Sequence, residues 1–150
     1  MRFVFVLISL FVFSSITLAQ NSKVKFKKGI VYVDDKQFCE YENISSDKIN
    51  YKLNGKDFMF LNWESVGTGK YNSNGHEIKH TYVIIHFTTT DIKPFESSLT
   101  RKTIIRQLIS NKVVENGKFN PEQAKLFAQK FSENISGKYK KTTIEININD

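Results

Sequence analysis

The chain has 150 residues, of which 22 are Lys or Arg and 15 are Asp or Glu, so its formal net charge is +7. The positive charge is concentrated in residues 98–150, where 10 Lys or Arg face five Asp or Glu, a difference of +5. An excess this modest favours loose attraction to anionic surfaces and makes nucleic acid a poor partner. The single cysteine excludes an intrachain disulfide, so packing must stabilise the fold.

Residues 1–19 have the order of features that is typical of a secretory signal peptide. Arg2 supplies the positive charge, FVFVLISLFVF the apolar core and SSITLA the small residues near a cleavage point. The apolar run is shorter than the roughly 20 residues of a comfortable membrane span. We therefore expect cleavage before Gln20, no transmembrane segment in the mature chain, and an exported protein in the periplasm or outside the cell.

The first half of the mature chain alternates short apolar segments with polar turns, which predicts a series of β-strands. Asn54-Gly55 is the strongest local signal, because this pair tolerates the positive φ angles of a tight hairpin. Gly67 and Gly69 predict a bulge or bend in the return strand. We expect strands at residues 24–27, 30–33, 37–41, 48–53 and 57–63.

Residues 77–90, EIKHTYVIIHFTTT, form the longest apolar run outside the N-terminus and predict a central strand. Nearly every residue from Thr81 to Thr90 is β-branched or aromatic, and Tyr82 to Ile85 are apolar on both faces. Hairpin follows hairpin without the long helical crossovers that parallel pairing needs. The sheet should therefore be an antiparallel meander.

Two helices are expected after the strand region. The first has Ser97 or Ser98 as its cap and runs to about Asn111, and the second begins after its cap Asn120. Residues 140–150, KKTTIEININD, alternate Ile with polar residues and predict an edge strand. The predicted fold class is α+β: residues 20–150 form one domain, an antiparallel β-meander sheet with two C-terminal helices packed on one face and a final C-terminal edge strand.

Arg101 is the candidate binding residue that the helical pattern identifies, since it lies in the same stripe as Ile104 and Leu108. An unpaired buried charge costs several kcal/mol. The side chain must therefore either extend past the helix start into solvent or meet a carboxylate or a bound anion. In the second case Arg101 would form, with Lys102 and Arg106, a basic site for an acidic protein or an anionic envelope component.

Three aromatic residues, Trp63, Tyr71 and Tyr139, lie near loops or a sheet end, and they are candidates for contacts with a sugar or a peptide. The alternative is that they are ordinary core residues. Most of the other aromatic residues of the mature chain alternate as a core requires. We therefore keep Trp63 and Tyr71 as candidate binding residues beside the basic group.

The sequence predicts no metal site and no cofactor. His76, His80 and His86 share one face of a strand, but positions four apart are separated by about 13 Å, too far for two ligands at ~2 Å from one zinc ion. We interpret them as ordinary strand histidines. Cys39 is interpreted as a small apolar core residue, with a catalytic thiol or a disulfide-linked dimer as the alternatives.

The LAQ end of the leader, the VYVDDKQF segment and the order of a meander followed by two helices resemble short, uncharacterised exported proteins of Gram-negative bacteria. This resemblance implies an envelope location and no particular activity. The absence of G-x-S-x-G, H-E-x-x-H and phosphate-loop motifs favours an exported non-catalytic module that binds a protein or an envelope component. The alternative is a small secreted or periplasmic hydrolase whose site is assembled from distant residues.

Overall fold

A computed structural model describes residues 22–88 and 91–139 of the chain. In this part of the chain, seven strands form one sheet in which each strand pairs antiparallel with the next. The α+β class and the antiparallel meander are therefore confirmed. The elements are β1 (Val24–Lys27), β2 (Ile30–Val33), β3 (Lys36–Asn43), β4 (Lys48–Leu53), β5 (Lys56–Tyr71), β6 (Glu77–Phe87), β7 (Phe95–Ser97), α1 (Arg101–Ser110), β8 (Val114–Glu115), β9 (Lys118–Phe119), α2 (Pro121–Phe131) and α3 (residues 135–139).

The predicted hairpin between β4 and β5 is confirmed. Asn54 and Gly55 have φ angles of 51° and 75°, and Leu53 pairs with Lys56 across a two-residue loop. Both central residues of such a loop need positive φ, which matches the right-handed twist of the flanking strands. The turn thus sets the register of the two strands at the middle of the sheet.

One face of the sheet, which we call the inner face, carries the apolar side chains that pack against the helices. Strand alternation places Leu61, Ile85 and Phe87 on this face, and all three are almost completely buried. Phe127 of α2 lies with its ring centroid 5.9 Å from that of Phe87. The same core includes Tyr51, Met59 and Val83 of the sheet, Ile104, Ile105 and Leu108 of α1, and Ala124 of α2.

The opposite face, the outer face, is covered in part by the chain that follows α2. Glu133 forms an antiparallel bridge with Glu96 of β7, and the chain then forms α3. The ring of Tyr139 lies 5.3 Å from the ring of His80 on β6. Residues 132–139 therefore run along the outer side of β6 and β7.

The predicted start of the first helix is wrong. Thr100 is the N-cap of α1, and its side chain accepts a hydrogen bond from the Thr103 N–H. Ser97 instead pairs with Val83 in β7, a strand that sequence reasoning missed. Pairing along the edge of β6 satisfies the backbone of this segment, so the helix begins later.

Three other predictions lie at least partly outside the described residues. Strand β6 ends at Phe87, and Thr89 and Thr90 are not described. The expected signal peptide, residues 1–19, and the expected final strand, residues 140–150, also lie outside. No helix among the described residues is both long enough and apolar enough to cross a bilayer.

Candidate functional site

Strands β5 and β6 are much longer than their neighbours. On one side, Lys48 of β4 pairs with Asn62, and on the other, Ser97 of β7 pairs with Val83. Beyond these pairs, residues 64–71 pair only with residues 77–82. No other strand in the described part of the chain pairs with either segment. We call these two segments the distal ribbon.

The hydrogen-bond pattern shows which backbone groups of β5 point away from β6. The Thr88 N–H donates to the Phe58 carbonyl, and antiparallel pairs alternate between bonded and non-bonded along a ladder. Phe58 bonds to β6, so the even-numbered residues of β5 do the same and the odd-numbered residues do not. The N–H and C=O groups of Ser65 and Gly67 therefore face outward, away from β6. The Trp63 N–H faces the same way and donates to the Asp47 carbonyl at 2.8 Å, at the end of the covered part of the edge.

A bulge gives the ribbon its shape near the tip. The register shifts between Gly67 and Tyr71, and the Glu77 carboxylate accepts a hydrogen bond from the Gly69 N–H at 3.0 Å. The Thr68 hydroxyl donates to the Ile78 carbonyl at 2.6 Å. These side-chain bonds replace ladder bonds that the extra residues interrupt, so the ribbon stays ordered beyond the core. The bulge that the two glycines predicted is confirmed.

The two aromatic candidates of β5 lie at opposite ends of this exposed stretch. Trp63 is half-buried at the base of the ribbon, where it packs against the core. Tyr71 lies at the far end and is 67% exposed, and Ile78 on the facing strand is 46% exposed. Single exposed apolar side chains are common on protein surfaces, so these two do not by themselves define a contact surface.

The basic candidates lie elsewhere, and Arg101 has an environment that sequence reasoning did not anticipate. Its guanidinium carbon lies 3.9 Å from the ring centroid of Phe26 and 4.4 Å from that of Tyr41. Its Nε donates to the Tyr51 hydroxyl at 2.6 Å, while Nη2 is buried without a hydrogen-bond partner in the described part of the chain. Aromatic faces attract cations, and here three rings surround the charge.

The three basic residues of α1 point to different surroundings. Arg106 donates from Nε to the Ser22 carbonyl at 2.8 Å and thereby holds the N-terminal arm against the helix. Lys102 is exposed to solvent. The structure thus does not gather Arg101, Lys102 and Arg106 around one point, and a basic binding site made of them stays a prediction.

Cys39 is a core residue, as the sequence predicted. It is almost fully buried, and burial raises the pKa of its thiol to about 12. Burial likewise raises the pKa of the Tyr51 hydroxyl to about 12, although the nearby Arg101 opposes the shift. A thiol that stays protonated is a poor nucleophile, so nothing at Cys39 favours the catalytic alternative.

No metal centre emerges from the described residues. Among residues 22–88 and 91–139, no three His, Cys, Asp or Glu side chains are close enough to hold a metal ion. A cavity of about 440 Å³ lies beside the start of α2, lined by Asp91, Glu122 and Lys125 among others. Its described lining includes no serine, cysteine or histidine, so it offers no nucleophile of those types to the hydrolase alternative.

Comparisons with known proteins leave the chain without an assigned family. No protein-family model matches it, and no curated protein and no solved structure is similar enough to count as a match.

Proposed function

We propose that the protein is an exported, non-catalytic module that binds an extended segment of another protein along the β5 edge of the distal ribbon. The observation that supports this function is the outward-facing backbone of Ser65 and Gly67, which has no strand beside it among the described residues. A strand edge of this kind is a template for another chain, which natural proteins normally cover, twist away or charge.

The chemistry of the edge favours a polypeptide over a sugar or a lipid. Alternating N–H and C=O groups are complemented by the backbone of an added strand, and side-chain contacts on the two faces supply specificity. Here Trp63 lies on one face at the base of the ribbon, and the half-buried Val66 lies on the other. The partner segment should therefore carry an apolar residue at the position that reaches Trp63.

The β5 edge is a better site than the β6 edge. Residues 132–139 already lie against β7 and the outer side of β6, where Tyr139 contacts His80, so they crowd the approach to the β6 edge. No described strand other than β6 pairs with β5 at Ser65. Export is supported by the charge, apolar core and small residues of positions 1–19, and the N-terminal mass of the purified protein tests it. A retained Met1 would contradict export.

The binding experiment uses two matched proline variants of the mature chain, Ser65→Pro and Thr81→Pro. These residues face each other across the ribbon, and each substitution removes one outward N–H, from the β5 edge and the β6 edge respectively. Polypeptides captured from an envelope extract would be photo-crosslinked from position 64 and identified. We expect Ser65→Pro to lose capture at least tenfold and Thr81→Pro to retain it.

Three further outcomes would count against the proposal. Equal capture by both variants would show that the β5 edge is not the site. Loss of capture in Arg101→Met and Lys102→Ala, together with steep salt dependence, would favour the basic site on α1 instead. Capture that appears only after deletion of residues 140–150 would identify this segment of the chain itself as the occupant of the edge.

A further inference from the structure

The segment that follows α2 covers a small apolar cluster of its own on the outer face. Tyr82 of β6 and Ile135 of α3 are only 5% and 6% exposed. Neither belongs to the core between the inner face and the helices. The burial of these two side chains therefore depends on how residues 132–139 are attached to the sheet.

Two carboxylates attach this segment in a reciprocal way. Glu133 accepts hydrogen bonds from the Ser98 N–H at 2.8 Å and the Ser98 hydroxyl at 2.6 Å. Glu96 accepts from the Ser136 N–H at 2.8 Å and also from the Ser136 hydroxyl. The Glu133 N–H donates to the Glu96 carbonyl at 2.8 Å. Each carboxylate thus accepts one hydrogen bond from a backbone N–H and one from a serine hydroxyl on the other side of the contact.

The surrounding titratable groups come from three elements. On β6, His80 lies near enough to Glu133 to favour its charged form, and Tyr82 donates to Glu64 of β5 at 3.1 Å. The segment itself contributes Lys138 and Tyr139. Burial, with Glu64 and then Glu96 nearby, raises the pKa of the Tyr82 hydroxyl, so this group stays protonated at and below neutral pH.

We propose that residues 132–139 form an acid-sensitive clasp, which opens from the outer face when Glu96 and Glu133 are protonated while the main core stays folded. Protonation places a hydrogen on carboxylates that now accept two hydrogen bonds each, and it removes the charge that makes those bonds strong. Opening would expose Tyr82 and the outer side of β6 within the distal ribbon. The device is independent of the proposed partner.

The direction of the pH effect follows from Glu133. Hydrogen bonds from the Ser98 side chain and backbone lower the pKa of its carboxyl below the ordinary 4.5. A carboxylate with a lowered folded pKa contributes stability that is fully present above the ordinary pKa and is lost as the pH falls through the folded pKa. The clasp should therefore be closed at neutral pH and should open as the pH falls below 4.5, the ordinary pKa of a glutamate.

Amide hydrogen exchange of the full mature chain tests the clasp. The Ser98, Glu133 and Ser136 N–H groups all donate within it, while the Ile104 N–H donates in α1. After correction for intrinsic rates, we expect the three clasp amides to lose at least tenfold protection between pH 6.5 and pH 3.5. The Ile104 amide should keep its protection over the same range.

The double variant Glu96→Gln and Glu133→Gln should show the open pattern already at pH 6.5, and Glu77→Gln in the ribbon is the matched control that should not. Unchanged clasp protection in the wild type at pH 3.5 would overturn the proposal. Loss of protection at Ile104 in parallel with the clasp would also overturn it, because it would show global unfolding. The wild-type comparison decides even if the double variant does not fold.

Discussion

Strands β5 and β6 each pass from the most buried part of the sheet to one of its most exposed parts. At one end, Met59 pairs with Phe87 and both are completely buried beneath the helices. At the other end, Tyr71 pairs with Glu77 and both are exposed. The backbone pairing continues across both regions, whereas the core does not, so the regions differ in what stabilises them.

This contrast shows that pairing order and stability are separate properties of a sheet. A two-stranded ribbon alone is marginally stable in water. The distal ribbon gains its order from its attachment to the core and from the Glu77–Gly69 and Thr68–Ile78 bonds at the bulge. We therefore expect substitutions in the packed part to change global unfolding, and those in the ribbon to change local opening only.

The largest effect is expected for a pair of truncations on the same strand. Phe87→Ala removes a buried ring that contacts the rings of Phe95, Phe119 and Phe127, and it should lower the free energy of unfolding by about 3–5 kcal/mol. Ile78→Ala in the ribbon should change it by less than about 0.5 kcal/mol. Urea unfolding measures both. Similar losses in the two variants would show that the ribbon is part of the cooperative core.

A second pair compares turns in the two regions. Gly55 and Gly75 have φ angles of 75° and 76°, and a Cβ at either would meet no atom within 4 Å, so a substitution acts through backbone strain alone. Gly55→Val should destabilise the fold by on the order of 1 kcal/mol or more. Gly75→Val should leave the melting temperature almost unchanged and speed amide exchange in the ribbon. Equal melting temperatures for the two variants would contradict this difference.

The smallest effect is a loss of stability at alkaline pH, which follows from the burial of Cys39 in the packed region. Because the pKa of Cys39 is raised from 9.0 to about 12, the unfolded thiol ionises first as the pH rises. The contribution of this thiol to the free energy of unfolding is fully present below pH 9 and is lost as the pH rises from 9 to about 12. From pH 8 to 9.5 the wild type should lose up to about 1 kcal/mol more than Cys39→Ala does. Parallel pH curves would show that the thiol is accessible.

The accuracy of the sequence predictions follows the range of the interactions involved. The hairpin at Asn54-Gly55 depends on the φ angles of two adjacent residues, and the cap at Asn120 depends on a bond to the Gln123 N–H three residues away. Both could be predicted. The seventh strand could not, because Phe95–Ser97 has only three residues, too few to show a pattern of its own, and its strand character comes from pairing with β6.

The sequence by itself determined the order of strands β1 to β6 and of helices α1 and α2, the antiparallel meander and the burial of Cys39, because alternation and turn chemistry act over a few neighbouring residues. Only the tertiary structure decided the surroundings of Arg101, since Phe26, Tyr41 and Tyr51 come from three different strands. It also decided which part of β5 lies without a neighbouring strand in the described chain. Strand length is a local property, but the cover of an edge depends on where other strands end.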